Sequence, residues 1–368
     1  MKTSPQVLLL PLLALLACGG SSNHGSPDGG TEGADGGMTS PDGATVFHDG
    51  GTSSGGDGSA LPEASTGSDG GVPPPGTAAF LSRSYQGRAY MLYVPASYAA
   101  GTATPLVMML HGCTQTMADF AAGTQMNKQA DTAGFLVAYP DEPTSANIEQ
   151  CFNWFLPADQ ARGAGEPQLL AGMVGDVAGT FTVDAKRVFV AGISAGAAMA
   201  VILGATYPDV FAAVGAHSGL EYEAATDETS ALQAAQSGGP TPKTQGDAAF
   251  AAMGTYARAV PVIVFQGTAD TTVNDVNGQQ TIDQWTETDD RASASLGAGA
   301  ATQGSAGGKS FTLTTYTDAK SGGVMLEYYL VSGLAHAWSG GNSAGTFTDP
   351  AGPDATSLMW KFFAANPK

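Results

Sequence analysis

The chain has 368 residues, of which 43% are hydrophobic and 13% are charged, enough apolar content for one large core or two modest ones. Asp and Glu outnumber Lys and Arg by 33 to 14, which gives a formal net charge of −19. Nucleic acid and anionic membrane surfaces bind clustered positive charge, so this balance argues against both as partners.

The N-terminal segment has the layout of a secretory signal. Lys2 precedes an apolar run over residues 7–16, which is too short to span a membrane stably. Residues 15–18, Leu-Leu-Ala-Cys, resemble a bacterial lipobox, in which the cysteine is lipidated. We predict that residues 1–17 are a lipoprotein-type signal peptide and that Cys18 carries lipid. The alternative is an ordinary cleaved signal with an incidental cysteine.

Residues 18–77 consist largely of Gly, Ser, Thr, Asp and Pro, with repeated Asp-Gly steps. The aspartates invite a calcium-binding interpretation, but repeats without hydrophobic positions cannot build a stacked core. A flexible, self-repelling spacer behind the lipidated cysteine is the preferred interpretation.

From residue 78 onward, short apolar runs alternate with helical patterns, which predicts one α/β domain over residues 78–368. The predicted strands are Arg88–Val94, Leu106–Leu110, Phe135–Tyr139, Val188–Ala191, Ala212–Ala216, Val262–Phe265 and Met325–Val331. The predicted helices are Ala118–Ala133, Leu169–Phe181, Ala195–Thr206, Gln279–Leu296 and Ala355–Phe363. This alternation favours a mostly parallel central sheet with helices on both faces.

The segment Gly192-Ile193-Ser194-Ala195-Gly196 follows a predicted strand and leads directly into a predicted helix. This context is typical of a nucleophile elbow, in which glycines permit a tight turn that holds the serine above the sheet. We predict that Ser194 is a nucleophile and that the Ala195 amide donates to a developing oxyanion. The alternative is an ordinary strand-to-helix turn.

A nucleophilic serine needs a histidine as base, and in this arrangement the chain order is serine, acid, histidine. His336, after the last predicted strand, fits that order, whereas His217 lies too early for an acid loop to intervene. The acid is expected just after the strand over residues 262–265, where we choose Asp270. Asp275 is a near competitor, and a plain turn aspartate is the alternative.

A second oxyanion donor is expected in the loop after the strand that ends at Leu110. Backbone amides do this work, so Cys113 is the predicted donor and Gly112 gives it room. His111 either orients this loop or is structural.

Cys113 and Cys151 are the two thiols left in the exported domain, and an oxidising compartment would pair them. The alternative is two buried free thiols. A disulfide would tie residues 147–157, which include Phe152, Trp154 and Phe155, to the oxyanion loop. These aromatic residues, Trp154 among them, could line an acyl or aryl pocket, although core packing explains aromatic clusters more often.

Several stretches together resemble the esterase family that includes extracellular poly(3-hydroxybutyrate) depolymerases, feruloyl esterases and acetylxylan esterases. They are Leu110–Gln115, Cys151–Phe155, Asp159-Gln160 with Gly165-Glu166, Gly192–Gly196, Gly267–Asp270 and His336–Gly341. The resemblance implies an α/β-hydrolase fold and a triad of Ser194, Asp270 and His336, and it suggests that Trp338 borders the substrate cleft. Gln266 departs from the family, which often has histidine there.

The sequence therefore predicts a serine carboxylic ester hydrolase that works through an acyl-enzyme, with no metal and no cofactor. Its expected substrate is a polyester oligomer or an acylated or feruloylated polysaccharide. Because the sequence ends at Lys368, without a polymer-binding domain, we expect a soluble ester or polysaccharide substrate rather than a solid polyester. The protein is expected to be extracellular or anchored to the outer membrane, touching membrane only through its lipid. The alternatives are an acyltransferase and a catalytically silent surface-binding lipoprotein.

Overall fold

The computed structural model describes residues 71–368. The predicted signal peptide, the lipidation site at Cys18 and the spacer up to residue 70 lie outside the described residues and stay predictions. Within residues 71–368, no helix is long and apolar enough to cross a membrane.

Ten strands of the described region form one mixed sheet, and two short strands pair separately. In chain order they are β1 Ala79–Tyr85, β2 Arg88–Val94, β3 Thr104–Leu110, β4 Leu136–Pro140, β5 Val183–Ile193, β6 Ala213–His217, β7 Val262–Gly267, β8 Ala300–Ala306, β9 Lys309–Thr317, β10 Val324–Val331, β11 Trp338–Ser339 and β12 Thr348–Asp349. The sheet order is β1-β2-β4-β3-β5-β6-β7-β10-β9-β8. Strands β4, β3, β5, β6, β7 and β10 run parallel. Antiparallel pairs β1–β2 and β9–β8 form the two edges.

Helices connect the parallel strands and cover both faces of the sheet. They are α1 Met117–Thr124, α2 Met126–Ala133, α3 Gly165–Thr180, α4 Ala195–Thr206, α5 Glu228–Ser237, α6 Pro242–Met253, α7 Val276–Arg291 and α8 Ala355–Ala365. Helix α8 begins after Asp354, whose side chain caps it by accepting a hydrogen bond from the Ser357 amide at 3.0 Å.

The apolar runs of the parallel strands are explained by burial on both faces. Alternate side chains of a strand point to opposite faces, and on β5 Val190 packs in one apolar cluster with α3 and α4. Its neighbour Phe189 packs in the other cluster, with α1, α2 and α8, and stacks on Phe363 at 4.9 Å. The predicted α/β architecture is confirmed.

The structure departs from the predicted elements at several places. The single helix predicted over Ala118–Ala133 is two helices, because Gln125 adopts a left-handed φ of 56° between them. The sequence does not predict strands β1, β8, β9, β11 and β12 or helices α5 and α6, and α7 ends at Arg291 rather than at Leu296.

Candidate active site

The candidate residues lie on segments that follow the carboxyl ends of neighbouring parallel strands, the edge at which open α/β sheets bind ligands. Ser194 follows β5, Asp270 follows β7 and His336 follows β10. The loop with Cys113 follows β3, and His217 ends β6.

Ser194 sits on a sharp turn between β5 and α4, with φ 57° and ψ −123°. Residues other than glycine rarely adopt this backbone conformation, and strained residues of this kind are concentrated at functional sites. The turn is fixed by a hydrogen bond of 3.0 Å from the Ser194 amide to the His217 carbonyl. Glycine is required on both sides: a Cβ atom on Gly192 would overlap the backbone of Gly196, and one on Gly196 would overlap the Leu110 carbonyl.

Asp270 and His336 form a hydrogen-bonded pair. His336 Nδ1 lies 2.8 Å from Asp270 Oδ2. The other carboxylate oxygen, Oδ1, accepts hydrogen bonds from the backbone amides of Thr272 at 2.9 Å and Val273 at 2.8 Å. The Asp270 side chain is fully buried and that of His336 is 10% exposed. Burial raises the pKa of Asp270, but the hydrogen bond and charge of His336 and the two amides outweigh it, so that the pKa is lowered.

The competing acid, Asp275, precedes the first turn of α7, and within residues 71–368 the ion pair of His336 is with Asp270. No hydrogen bond joins Ser194 Oγ to His336 Nε2 in the described region. Hydrogen bonds of this kind are often long before substrate binds.

The two predicted oxyanion donors share one property. Among residues 71–368, neither the Cys113 amide nor the Ala195 amide donates a hydrogen bond to the protein. The neighbouring amides are used: that of Gly112 donates to Gln115 Oε1 at 2.9 Å, and that of Thr114 to the Glu149 carbonyl at 2.7 Å. The loop lies directly against the nucleophile turn, since a Cβ atom on Gly112 would be 3.3 Å from Ser194 Cβ.

Cys113 and Cys151 form a disulfide, as predicted. It joins the loop after β3 to the segment after β4, in parallel with the hydrogen bond from Thr114 to Glu149. The loop that carries the Cys113 amide is therefore fixed at two points.

His111 and His217 are both buried, which disfavours the charged form of each ring. Burial lowers the pKa of His111, whose Nε2 accepts the Glu142 amide at 3.1 Å. Burial, together with the neighbouring His336, lowers the pKa of His217 to about 3. The His217 Nε2 atom accepts the Ser339 amide at 3.1 Å, so its ring links β6 to the segment that carries His336.

A buried carboxyl cluster, which the sequence did not reveal, supports the Cys151 segment. Glu166 accepts hydrogen bonds from the amide and side chain of Asn153 at 2.8 and 2.7 Å, and Glu142 pairs with Arg88. Burial, and repulsion by the Glu166 charge, raise the pKa of Glu142. In the sequence, Glu166 and Asp159 belong to stretches that resemble the esterase family, but nothing indicates their role, and no motif marks Glu142.

The two tryptophans that the sequence suggests as substrate-binding residues are both buried. Trp338 is only 1% exposed, donates from Nε1 to Thr356 Oγ1 at 3.0 Å, and stacks on His217. The structure does not bring it to an exposed surface. Trp154 is also buried, in an edge contact with Phe155 at 5.6 Å.

Phe347 is a residue near His336 that sequence analysis missed. Its ring centroid lies 6.2 Å from that of His336, and no motif marks it in the sequence.

Comparison with known proteins gives a consistent result. The family described as "Esterase PHB depolymerase" matches residues 88–305, a range that includes Ser194 and Asp270 but ends before His336. Poly(3-hydroxyalkanoate) depolymerase C of Paucimonas lemoignei is 39% identical over 196 residues, 53% of this chain and 47% of the relative. Acetylxylan esterase A of Emericella nidulans is 31% identical over 206 residues, 53% of this chain and 66% of the relative.

The chain thus matches between about half and two thirds of the length of these two curated relatives. Among solved structures, an acetyl xylan esterase from Aspergillus awamori superposes with a TM-score of 0.58 at 23% identity. The superposition covers 70% of this chain and 94% of that one. This likeness shows the fold, that of the α/β-hydrolases.

Proposed function

Because the chain belongs to the esterase PHB depolymerase family, we propose that it is a serine carboxylic ester hydrolase with Ser194, His336 and Asp270 as its catalytic triad. The observation that carries the proposal is the 2.8 Å hydrogen bond between His336 Nδ1 and Asp270 Oδ2 at the sheet edge that also bears Ser194. This bond fixes the imidazole tautomer and leaves Nε2 as the base.

The proposed reaction has two halves. In the first, Ser194 Oγ attacks the ester carbonyl while His336 Nε2 takes its proton, and Asp270 stabilises the imidazolium. The tetrahedral oxyanion accepts hydrogen bonds from the amides of Cys113 and Ala195, which are free of protein partners in the described region. The alcohol leaves with the proton from His336. In the second half, water deprotonated by His336 attacks the acyl-enzyme and releases the acid and Ser194.

The proposed substrates are polyester oligomers and acylated or feruloylated polysaccharides. The relatives named poly(3-hydroxyalkanoate) depolymerase and acetylxylan esterase support polyesters and acetylated polysaccharides as substrates. The resemblance of the sequence motifs to feruloyl esterases supports feruloylated polysaccharides. An acyltransferase would use the same acyl-enzyme with an alcohol in place of water, and a product analysis with added alcohol separates the two.

The proposed location is outside the cytoplasm. The disulfide between Cys113 and Cys151 supports an oxidising compartment. Export through the signal peptide of residues 1–17 and attachment by lipid at Cys18 complete this proposal, and both rest on the sequence alone.

The test is active-site labelling together with hydrolysis of small esters. Ser194→Ala should abolish fluorophosphonate labelling and lower turnover by roughly a millionfold, the loss known for triad serines. Ser84→Ala, an exposed serine on β1, is the matched control and should label and turn over like the wild type. Retention of more than a tenth of the activity in folded Ser194→Ala would overturn the assignment. Absence of ester hydrolysis in the wild type would favour the silent binding protein.

A further inference from the structure

Phe347 is a large apolar side chain that is 45% exposed. Its backbone has a left-handed φ of 49°, a conformation that costs a non-glycine residue about 1 kcal/mol or more. Neither exposure of a phenyl ring nor this strain contributes to stability. Strain of this kind is concentrated at sites of function.

The Phe347 ring lies beside the proposed base. Its centroid is 6.2 Å from that of His336, with the ring planes at 75°, so the two rings meet edge to face. His336 is itself only 10% exposed. The exposed phenyl ring is therefore within reach of a ligand that contacts the imidazole.

Phe347 is held in place by its neighbour. Thr346 donates from its amide to Asp119 Oδ1 at 2.9 Å and from Oγ1 to Asp119 Oδ2 at 2.6 Å. Gln115 Nε2 donates to the Thr346 carbonyl at 3.1 Å, while Gln115 Oε1 accepts the Gly112 amide at 2.9 Å. The same glutamine thus fixes both the oxyanion loop and the segment that carries Phe347. Rings placed on such a fixed support can select a substrate, since little entropy is lost on binding.

The chemistry of the proposed function indicates which part of the ester lies there. Since His336 delivers its proton to the leaving alkoxide, the alcohol portion of the ester is next to the imidazole. We propose that Phe347 is a specificity-determining residue that binds the alcohol portion and favours alcohols with a flat apolar face, such as an aryl ring. This inference rests on the proposed esterase function and adds to it the side of the ester that Phe347 recognises.

The experiment compares benzyl acetate with ethyl acetate, which share the acyl group and differ in the alcohol. Phe347→Ala should lower the ratio of kcat/KM for benzyl over ethyl acetate about fivefold, the size of one aromatic contact. The loss should fall mainly on KM for the benzyl ester, because the contact is made equally in the ground state and the transition state. Phe347→Tyr should retain the ratio.

Two controls separate substrate contact from a structural effect. Phe347→Gly removes the ring at a φ that glycine adopts without strain, and it should show the same change in ratio as Phe347→Ala. Leu232→Ala, an equally exposed apolar side chain on α5, should leave the ratio unchanged. Ethyl butanoate against ethyl acetate, which varies the acyl group alone, should give the wild-type ratio in all variants.

The outcomes distinguish the inference from its premise. If hydrolysis depends on Ser194 but the benzyl-to-ethyl ratio of both Phe347→Ala and Phe347→Gly stays within about twofold of wild type, the role of Phe347 is wrong and the esterase proposal stands. A change in the acyl series instead would also overturn it. Hydrolysis that survives Ser194→Ala would overturn the proposed function itself.

Discussion

Asp270 shows what the sequence can and cannot specify about a single residue. Its identity as the candidate acid follows from the short spacing between the end of β7 and a carboxylate, and the structure pairs it with His336. The amides of Thr272 and Val273, which satisfy its other oxygen, depend on the exact course of the loop. That course has no pattern in the sequence.

For Trp338, the position in the sequence does not indicate the surroundings of the side chain. Trp338 stands two residues after His336, which suggested a place beside substrate, but its indole packs edge-on against Phe120 and bonds Thr356. Those partners are far away in the chain, so whether an aromatic side chain lines a cleft or fills the core is decided by tertiary packing. The exposed ring near His336 is that of Phe347.

Glu221 carries a prediction on pH and stability. Its side chain is 2% exposed, and neither carboxyl oxygen has a hydrogen-bond partner in the described region. Burial and the charge of Asp283 raise its pKa to about 8, whereas an unfolded glutamate titrates near about 4.3. The stability due to the buried neutral form is therefore complete below the unfolded pKa and is lost as the pH rises towards 8.

Glu221→Gln, which cannot ionise, should escape this loss. The gain in free energy of unfolding over wild type should be larger at pH 8 than at pH 5, by roughly 3 to 4 kcal/mol, measured by urea unfolding at both values. Other buried carboxyls are common to both proteins and cancel in the comparison. Glu228→Gln, an exposed carboxylate at the start of α5, is the control. An equal gain at the two pH values would contradict the prediction.

At the scale of elements, burial explains which strands the sequence predicts. The parallel strands are buried on both faces and appear as continuous apolar runs such as Leu106–Leu110 and Val262–Phe265. Edge strand β8 is Ala-Ala-Thr-Gln-Gly-Ser-Ala and mostly exposed, so it has no apolar run. It forms through its antiparallel pairing with β9, a contact that single-strand patterns do not contain.

Two helices, α5 and α6, have no strong pattern in the sequence because they bury little apolar surface. Helices α5 and α6 are rich in small and polar residues, and each buries only a few side chains, so their helical period is weak. Helices α1 and α2 are separated at Gln125, a position where the sequence has neither glycine nor proline. The separation arises because Gln125 takes a left-handed conformation as the cap of α1, its amide bonding the Ala121 carbonyl.

The disulfide between Cys113 and Cys151 is expected to affect both the stability of the protein and its turnover. It closes a loop of 38 residues, for which the chain-entropy model gives about 3 to 4 kcal/mol. Cys151→Ser should therefore lower the melting temperature. Turnover should also fall, since the Cys113 amide is the proposed oxyanion donor. The fall should stay below the roughly hundredfold cost of a lost donor, because the hydrogen bond from Thr114 to Glu149 still holds the loop.

The measurement is thermal unfolding and kcat of the two proteins with and without reductant. Reductant should bring the wild type to the level of Cys151→Ser and should not change the variant further. A wild type that keeps its melting temperature and turnover after its disulfide is shown to be reduced would contradict the coupling.

At the scale of the whole molecule, composition separates the chain into parts more clearly than any motif. The Gly-rich, Asp-rich stretch over residues 18–70 contains few large apolar residues that could join a core, and the ten strands of the main sheet lie within the described residues 71–368. We propose that this stretch is a spacer, because a polar segment offers little apolar burial to offset its conformational entropy. Its proposed role is to hold the esterase domain away from an anchoring surface.

The last prediction tests the anchor and the spacer together. Labelled fatty acid should enter the wild-type protein in a host that processes lipoproteins and should be absent from Cys18→Ser, because the thiol is the proposed attachment point. Deletion of residues 25–71 should leave lipid labelling and kcat/KM on small esters unchanged, since the first strand of the sheet begins at Ala79. The deletion should lower activity only on substrates too large to reach an anchored domain. Equal labelling of wild type and Cys18→Ser would contradict the anchor, and a loss of small-ester activity on deletion would contradict the spacer role.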